Sequence, residues 1–209
     1  MLNLMLFPDG GPGIAARPAL AMRRVVTLDR PAAPDELEEL VGRSAAGELE
    51  VRVRIPTPDR RLAAVLEPGA APPLRRFAAL RVLRRAGLEP GLLLAPLVPG
   101  IHDHERDLVE LLGRARAAHG AHVAFRIDVP SEVRAVELHR ELALRYPRVA
   151  ARFEVHRRTS GLSPPEEVDR IADLLARLAR RFGVPLRDSG GRPEARLPLQ
   201  RRFPFGTRS

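Results

Sequence analysis

The sequence predicts an α/β fold: an open parallel sheet or partial (βα) barrel with flanking helices and flexible termini. Segments with the apolar pattern of strands alternate along the chain with segments that repeat apolar residues at helical spacing. The run 91–98 is wholly apolar, as is typical of a parallel strand buried on both faces. Roughly four or five such strand–helix units are too few for an eight-stranded barrel. We expect one domain at 23–185, a flexible leader at 1–22 and a disordered Pro/Gly/Arg-rich tail at 186–209.

The individual elements follow from their period and from residues that favour element ends. Residues 48–55 alternate apolar and charged side chains, which indicates a strand with one face in the core. Residues 150–157 fit a strand and a helix equally well. The helix at 72–87 is expected to bury Leu74, Phe77, Leu80, Val82 and Leu83. Strands are predicted at 23–28, 48–55, 91–98 and 121–129, and helices at 33–47, 72–87, 103–120, 130–147 and 163–183.

Cysteine is absent from the chain, which removes several classes of chemistry at once. Without thiolates the chain cannot form disulfides, use a cysteine nucleophile or bind an iron–sulfur cluster through cysteine. No apolar run reaches the roughly 18 residues of a transmembrane helix, so we expect no membrane partner. The opening "MLNLMLF" is too short for the apolar core of a signal peptide, and we expect a cytoplasmic protein.

The formal net charge is +9, and every basic residue other than histidine is an arginine. Such a charge favours polyanionic partners, of which nucleic acid is the foremost. The arginine doublets are spread along the chain, from Arg23-Arg24 to Arg201-Arg202, and do not form one block. Abundant alanine, arginine, proline and glycine are also expected of a GC-rich genome. Solvated helix faces therefore remain the alternative to a nucleic-acid surface.

Three stretches carry a resemblance to a known family. "VRVRIPTPDRRLAAVLEP" (51–68) places a strand and turn before Leu-Glu-Pro, and "RRFAALRVLRRAGLEPGLLLAPLVPGIHDHE" (75–105) ends a strand in Pro-x-x-Pro-Gly. "VPSEVRAVELHRELALRYPRVAARF" (129–153) continues the match. In order and spacing, these stretches resemble the C-terminal half of the radical S-adenosylmethionine proteins related to spore photoproduct lyase. The resemblance covers roughly residues 23–185.

The resemblance implies a cavity for substrate and cofactor, lined by the loops that follow the strands. These loops are expected to lie together, because right-handed crossovers bring the carboxyl ends of parallel strands to one edge. Asp128 is an alternative to Arg126, since one residue is inserted near the family's arginine. Without any ligand, Pro96 and Asp103 are also explained as a strand end and a helix cap. The residues assigned to cofactor binding by resemblance are Thr57, Glu67, Pro96, Asp103 and Arg126.

The family's cofactors are S-adenosylmethionine and a 4Fe–4S cluster bound by C-x3-C-x2-C, a motif that this chain lacks. We therefore expect no cofactor in this chain, and a truncated or degenerate family member whose partner chain carries the cluster half. Such an assembly would modify nucleic acid or repair DNA lesions. Alternatively, the chain is a non-catalytic protein that binds nucleic acid or a protein through its arginines. Leu92 and Leu94 are expected to face an open barrel interior, covered by a partner, a second copy of the chain or "MLNLMLF".

Histidines near the third strand raise the possibility of a metal site. His102 and His104 are separated by one residue and could chelate a divalent metal. His119 and His122 follow a whole helix later, more than about 20 Å along its axis, so the four cannot share one site. We expect no metal site, since exposed or helix-capping histidines explain the pattern.

Overall fold

Four strands form one sheet in the order β1-β2-β3-β4, and every neighbouring pair is parallel. The computed structural model describes residues 24–160 and 165–187, so the predicted leader and the tail beyond Arg187 lie outside the described residues. The strands are β1 (Arg24–Leu28), β2 (Leu49–Arg54), β3 (Gly91–Leu97) and β4 (His122–Ile127). The helices are α1 (Pro34–Ala45), α2 (Arg60–Leu66), α3 (Pro73–Arg85), α4 (Glu105–Ala117), α5 (Glu132–Arg145), α6 (Pro147–Ser160) and α7 (Pro165–Phe182). The predicted α/β class with an open parallel sheet is confirmed.

The main hydrophobic core lies between one face of the sheet and helices α1, α3, α4 and α7. Leu92 and Leu94 of β3 are fully buried in this core, so the prediction that they face an open barrel interior is wrong. The reason is the apolar composition of β3, which gives no alternation to show which residues face the helices. Because side chains alternate along a strand, Leu93 and Ala95 lie on the opposite face, where they pack with Ala124 of β4.

Charged side chains occupy that opposite face, which we call the ionic face. In β2, Leu49, Val51 and Val53 point into the main core, so Glu50, Arg52 and Arg54 project from the other side. His122 and Arg126 of β4 alternate in the same way with residues that pack against the core. The sheet is therefore apolar towards the helices and largely ionic on its other face.

A second core lies at the edge of the sheet where the strands end, which we call the carboxyl edge. There α2 and the β3–α4 loop pack against a hairpin of helices formed by α5 and α6. Val65, Ile101, Leu142 and Phe153 are each buried in this core, and such burial stabilises by roughly 1.5–3 kcal/mol per side chain. The α5–α6 hairpin therefore holds the loops that follow β2 and β3.

Helix α3 differs from the sequence-based expectation in one detail, and the structure decides the segment that the sequence leaves open. Leu74 and Val82 of α3 are 71% and 47% exposed, so their predicted burial is wrong. In the first turn of α3, the inward position belongs to Arg76, whose charge is neutralised by buried partners. The ambiguous segment 150–157 is helical and belongs to α6.

The described chain extends past the predicted end of the domain at residue 185. Leu186 forms a parallel bridge with Val123, and the Arg187 N–H donates to the Val123 carbonyl. Among the helices in the described part of the chain, none is both long enough and apolar enough to cross a membrane.

Candidate functional site

The predicted site residues lie towards the carboxyl edge of the sheet. Thr57 follows β2, Pro96 and Asp103 lie near or after the end of β3, and Arg126 is near the end of β4. Because the strands are parallel, their ends share this edge. Glu67, at the end of α2, is tied to the same edge by an ion pair with Arg54, the last residue of β2.

Glu67 belongs to a buried ionic cluster at the end of β2. Arg76, 1% exposed, donates to the Glu67 carboxylate at 2.6 Å. Arg76 also donates to the main-chain carbonyls of Arg54, at 2.9 Å, and Ala71, at 2.6 Å. Arg54 Nε lies 2.8 Å from the second Glu67 oxygen, and its Nη2 donates to Asp29 at 3.1 Å. Both oxygens of Glu67 are thus engaged, and the cluster connects the ends of β1 and β2 with α2 and α3.

Asp103 connects the β3–α4 loop to helix α7. Its Oδ1 accepts the Gly100 N–H at 3.1 Å, and its Oδ2 accepts a hydrogen bond from Arg170 at 2.7 Å. Arg152 of α6 donates to the carbonyls of Gly100 and Ile101. Gly100 has a φ of 81°, a conformation that glycine adopts without steric cost. The loop is therefore fixed from both α6 and α7.

His102 is buried beside the end of β3. Its Nε2 lies 2.9 Å from the Pro96 carbonyl oxygen, and we assign the ring proton to this nitrogen because a carbonyl can only accept. The other ring nitrogen, Nδ1, is buried and has no hydrogen-bond partner among the residues that the structure describes. Burial lowers the pKa of His102 to about 4, although the Pro96 carbonyl and the Asp103 carboxylate act in the opposite direction. The ring is therefore neutral at pH 7.

His102 and His104 have different environments. His102 is 1% exposed, whereas His104 is an exposed residue at the N-cap of α4. The suggestion that Asp103 caps α4 is therefore wrong, because the helix begins one residue later than that role requires. Over residues 24–160 and 165–187, no group of three or more histidine or acidic side chains is arranged to hold a metal ion.

Thr57 and Asp59 shape the start of α2. The Thr57 hydroxyl oxygen accepts the Asp59 N–H at 3.2 Å, and Asp59 caps α2 by accepting the N–H groups of Arg61 and Leu62. The second Asp59 oxygen accepts a hydrogen bond from the Tyr146 hydroxyl at 2.9 Å. Burial and this hydrogen bond raise the pKa of Tyr146 to about 12. The contact joins α2 to the turn between α5 and α6.

A second ionic cluster fills the ionic face towards the start of the strands. Glu50 lies 2.6 Å from Arg52 Nε and 2.8 Å from His122 Nε2, and it also contacts Arg187. Burial alone would raise the pKa of Glu50, but hydrogen bonds from His122 and Arg52 outweigh burial and hold it well below its usual range. The His122 ring reaches Glu50 by lying over Gly91 of the intervening strand.

Gly91→Ala is expected to lower the free energy of unfolding by about 1–3 kcal/mol, the usual cost of overpacking. A Cβ at position 91 would lie 2.1 Å from His122 Nε2, so the ring would have to leave Glu50. Urea denaturation measures the effect. In a His122→Ala background the same substitution should cost far less, because the obstructing ring is gone. Equal costs in both backgrounds would contradict the assigned contact.

The cofactor roles that the resemblance assigns to the five predicted residues stay predictions. In this structure the polar groups of Glu67, Asp103 and the Pro96 carbonyl already have partners within the chain. Arg126 is more accessible, and it lies 3.4 Å from Asp128. A cluster bound through cysteines does not fit this chain, which has none. Sequence reasoning missed Arg76 and Tyr146, since neither a buried arginine nor a side chain so distant in sequence has a local signature.

Comparison with known proteins supports the fold. No family model matches the chain, and no curated protein sequence matches it. The chain is similar to the solved structure of a spore photoproduct lyase mutant, with 21% identity and a TM-score of 0.51, over 80% of this chain and 51% of that one. A double mutant of spore photoproduct lyase with bound AdoMet and dinucleoside spore photoproduct matches at 21% identity, with a TM-score of 0.52, over 78% of this chain and 50% of that one. The chain thus spans about half the length of these proteins.

Proposed function

We propose that this chain is the nucleic-acid-binding part of an assembly related to spore photoproduct lyase. The assembly acts on lesions or other modified sites in DNA. The observation that carries the proposal is a set of exposed arginines, without ion pairs among the described residues, at the carboxyl edge of a sheet whose fold is shared with spore photoproduct lyase. One solved structure of that enzyme holds a dinucleoside lesion. In open parallel sheets the carboxyl edge is also where ligands gather.

The charges at the carboxyl edge suit a phosphate backbone. Arg75 and Arg106, in the first turns of α3 and α4, are exposed and make no ion pair within the described residues. The positive ends of these two helix dipoles point to the same edge and also favour anions. Arginine binds phosphate oxygens through paired N–H groups, so this edge can hold a nucleic-acid strand without reading its sequence.

In this proposal a second polypeptide holds the 4Fe–4S cluster of the family that the sequence resembles. Three thiolates are needed to hold such a cluster, and the present chain supplies none. The second candidate function is a non-catalytic binding protein, which is favoured by the engagement of Glu67 and Asp103 with arginines of the chain itself. An adjacent gene encoding C-x3-C-x2-C, and a stable complex of the two products, would favour the first function over the second.

Binding of a fluorescent single-stranded 20-nucleotide DNA is expected to weaken steeply as salt rises. Each neutralised phosphate releases condensed counterions, so five contacts would reduce affinity about a hundredfold between 50 and 200 mM salt. Fluorescence anisotropy titrations at several salt concentrations measure the slope. A chain that binds no DNA even at 50 mM salt would contradict the proposal and leave base composition as the explanation of the charge.

A further inference from the structure

We propose that Arg60, Arg61, Arg145 and Arg148, here called the arginine patch, form the surface that contacts the phosphates of a nucleic-acid strand. This inference rests on the proposed function and gives it a location. Two of the four arginines begin α2, and the other two flank the turn between α5 and α6. Neither pair stands out in the sequence, where the first pair lies more than eighty residues before the second.

The hydrogen bond from Tyr146 to Asp59 brings the two pairs together. Its length is 2.9 Å, and Asp59 directly precedes Arg60 and Arg61 in the chain. Tyr146 lies within two residues of the other pair. Since consecutive Cα atoms are about 3.8 Å apart, the backbones of all four arginines lie close to this one contact. The surrounding structure is firm, because the second hydrophobic core lies directly beneath α2 and the α5–α6 hairpin.

The arginine patch is not neutralised by neighbouring carboxylates. All four side chains belong to exposed residues, and none makes an ion pair within the described part of the chain. Asp59, which directly precedes Arg60, accepts N–H and O–H donors at both of its oxygens. Near the other pair, Glu141 lies 3.8 Å from Arg134 and Glu154 forms ion pairs with Arg157 and Arg158. Other surface arginines differ in this respect: Arg43 and Arg114, for example, lie within 3.2 Å of a glutamate.

Such an arrangement fits a polyanionic strand better than it fits a single small anion. An isolated phosphate is bound best by convergent donors in a concave site, whereas these guanidinium groups are presented by three neighbouring helices on an exposed surface. Four like charges held close together gain from contact with several negative charges in a row. They also raise the rate of encounter with such a partner at low salt.

Two double variants test the location, Arg60→Gln/Arg61→Gln and Arg145→Gln/Arg148→Gln. The matched control is Arg177→Gln/Arg180→Gln, which removes the same charge from exposed arginines of α7 that have no ion pair within residues 24–160 and 165–187. The control positions lie towards the opposite edge of the sheet, because α7 starts near Asp103 and its end leads to the bridge at Val123. Each double variant leaves every side-chain hydrogen bond of the described structure intact.

Each patch variant is expected to bind single-stranded DNA about 25-fold more weakly than the wild type at 0.1 M salt, with a salt slope smaller by about 1.4. The control should keep the slope of the wild type. If the wild type binds DNA and both patch variants behave like the control, the arginine patch is refuted and the proposed function stands. If the wild type binds no DNA, the arginine patch and the proposed function are both refuted. Binding of an acidic peptide but not of DNA would also refute the inference.

Discussion

Replacing Arg76 with methionine is expected to lower the free energy of unfolding by about 3–5 kcal/mol, the usual cost of removing one partner of a buried ion pair. The substitution leaves Glu67, whose side chain is 9% exposed, with Arg54 as its remaining cationic partner. The carbonyls of Arg54 and Ala71 lose their bonds to the guanidinium. Urea denaturation followed by circular dichroism measures the loss.

Arg75→Met is the matched control, because it removes the same side chain from the neighbouring position of the same helix. Arg75 is exposed and has no ion pair in the described structure, so the cost should stay within about 0.5 kcal/mol. A loss at Arg76 no larger than the loss at Arg75 would show that the ionic cluster does not hold α3 to β2.

Stability is expected to fall by about 3 kcal/mol between pH 7 and pH 4 through His102 alone. The pKa of His102 is lowered to about 4 in the folded state, from an ordinary value of 6.5, because the ring is buried. The unfolded chain therefore takes up the proton at a higher pH than the folded chain. The contribution of the neutral ring to the free energy of unfolding is fully present above pH 6.5. It is lost progressively as the pH falls, and the loss is complete below pH 4.

His102→Asn provides the comparison, since an amide can still donate to the Pro96 carbonyl and does not titrate in this range. Denaturation curves of both proteins at intervals from pH 7 to pH 4 give the difference in stability at each pH. The wild type should lose stability faster than the variant as the pH falls. Parallel profiles would show that the pKa of His102 is not lowered in the folded state.

Most of the fold could be predicted because each element carries its own periodic signal. β2 alternates apolar and charged residues, and the structure places them on opposite faces of the sheet. β3 is wholly apolar, so its sequence did not show that Leu92 and Leu94 face the helices. Helix α2 spans seven residues between turn-forming segments, which is too short for a helical period to stand out.

The details of the site depend on contacts that sequence alone does not contain. Arg75 and Arg76 are adjacent and identical, yet one is exposed and the other is among the most buried side chains described. Arg76 lies on the inward side of α3, where Glu67 and two main-chain carbonyls accept its hydrogen bonds. The arginine patch likewise depends on a contact between residues distant in sequence, because its two halves meet through the Tyr146 hydrogen bond. Charge counts along the chain cannot reveal which arginines remain unpaired after folding.

Amide hydrogen exchange with and without single-stranded DNA tests most directly the claim that the carboxyl edge binds nucleic acid. At low salt, bound DNA should slow exchange in residues 59–63 and 145–150, where the arginine patch lies. Exchange at the opposite edge, in residues 45–48 and 86–90, should be unchanged. Protection confined to the opposite edge, or absent from the carboxyl edge under conditions where DNA is bound, would contradict the account.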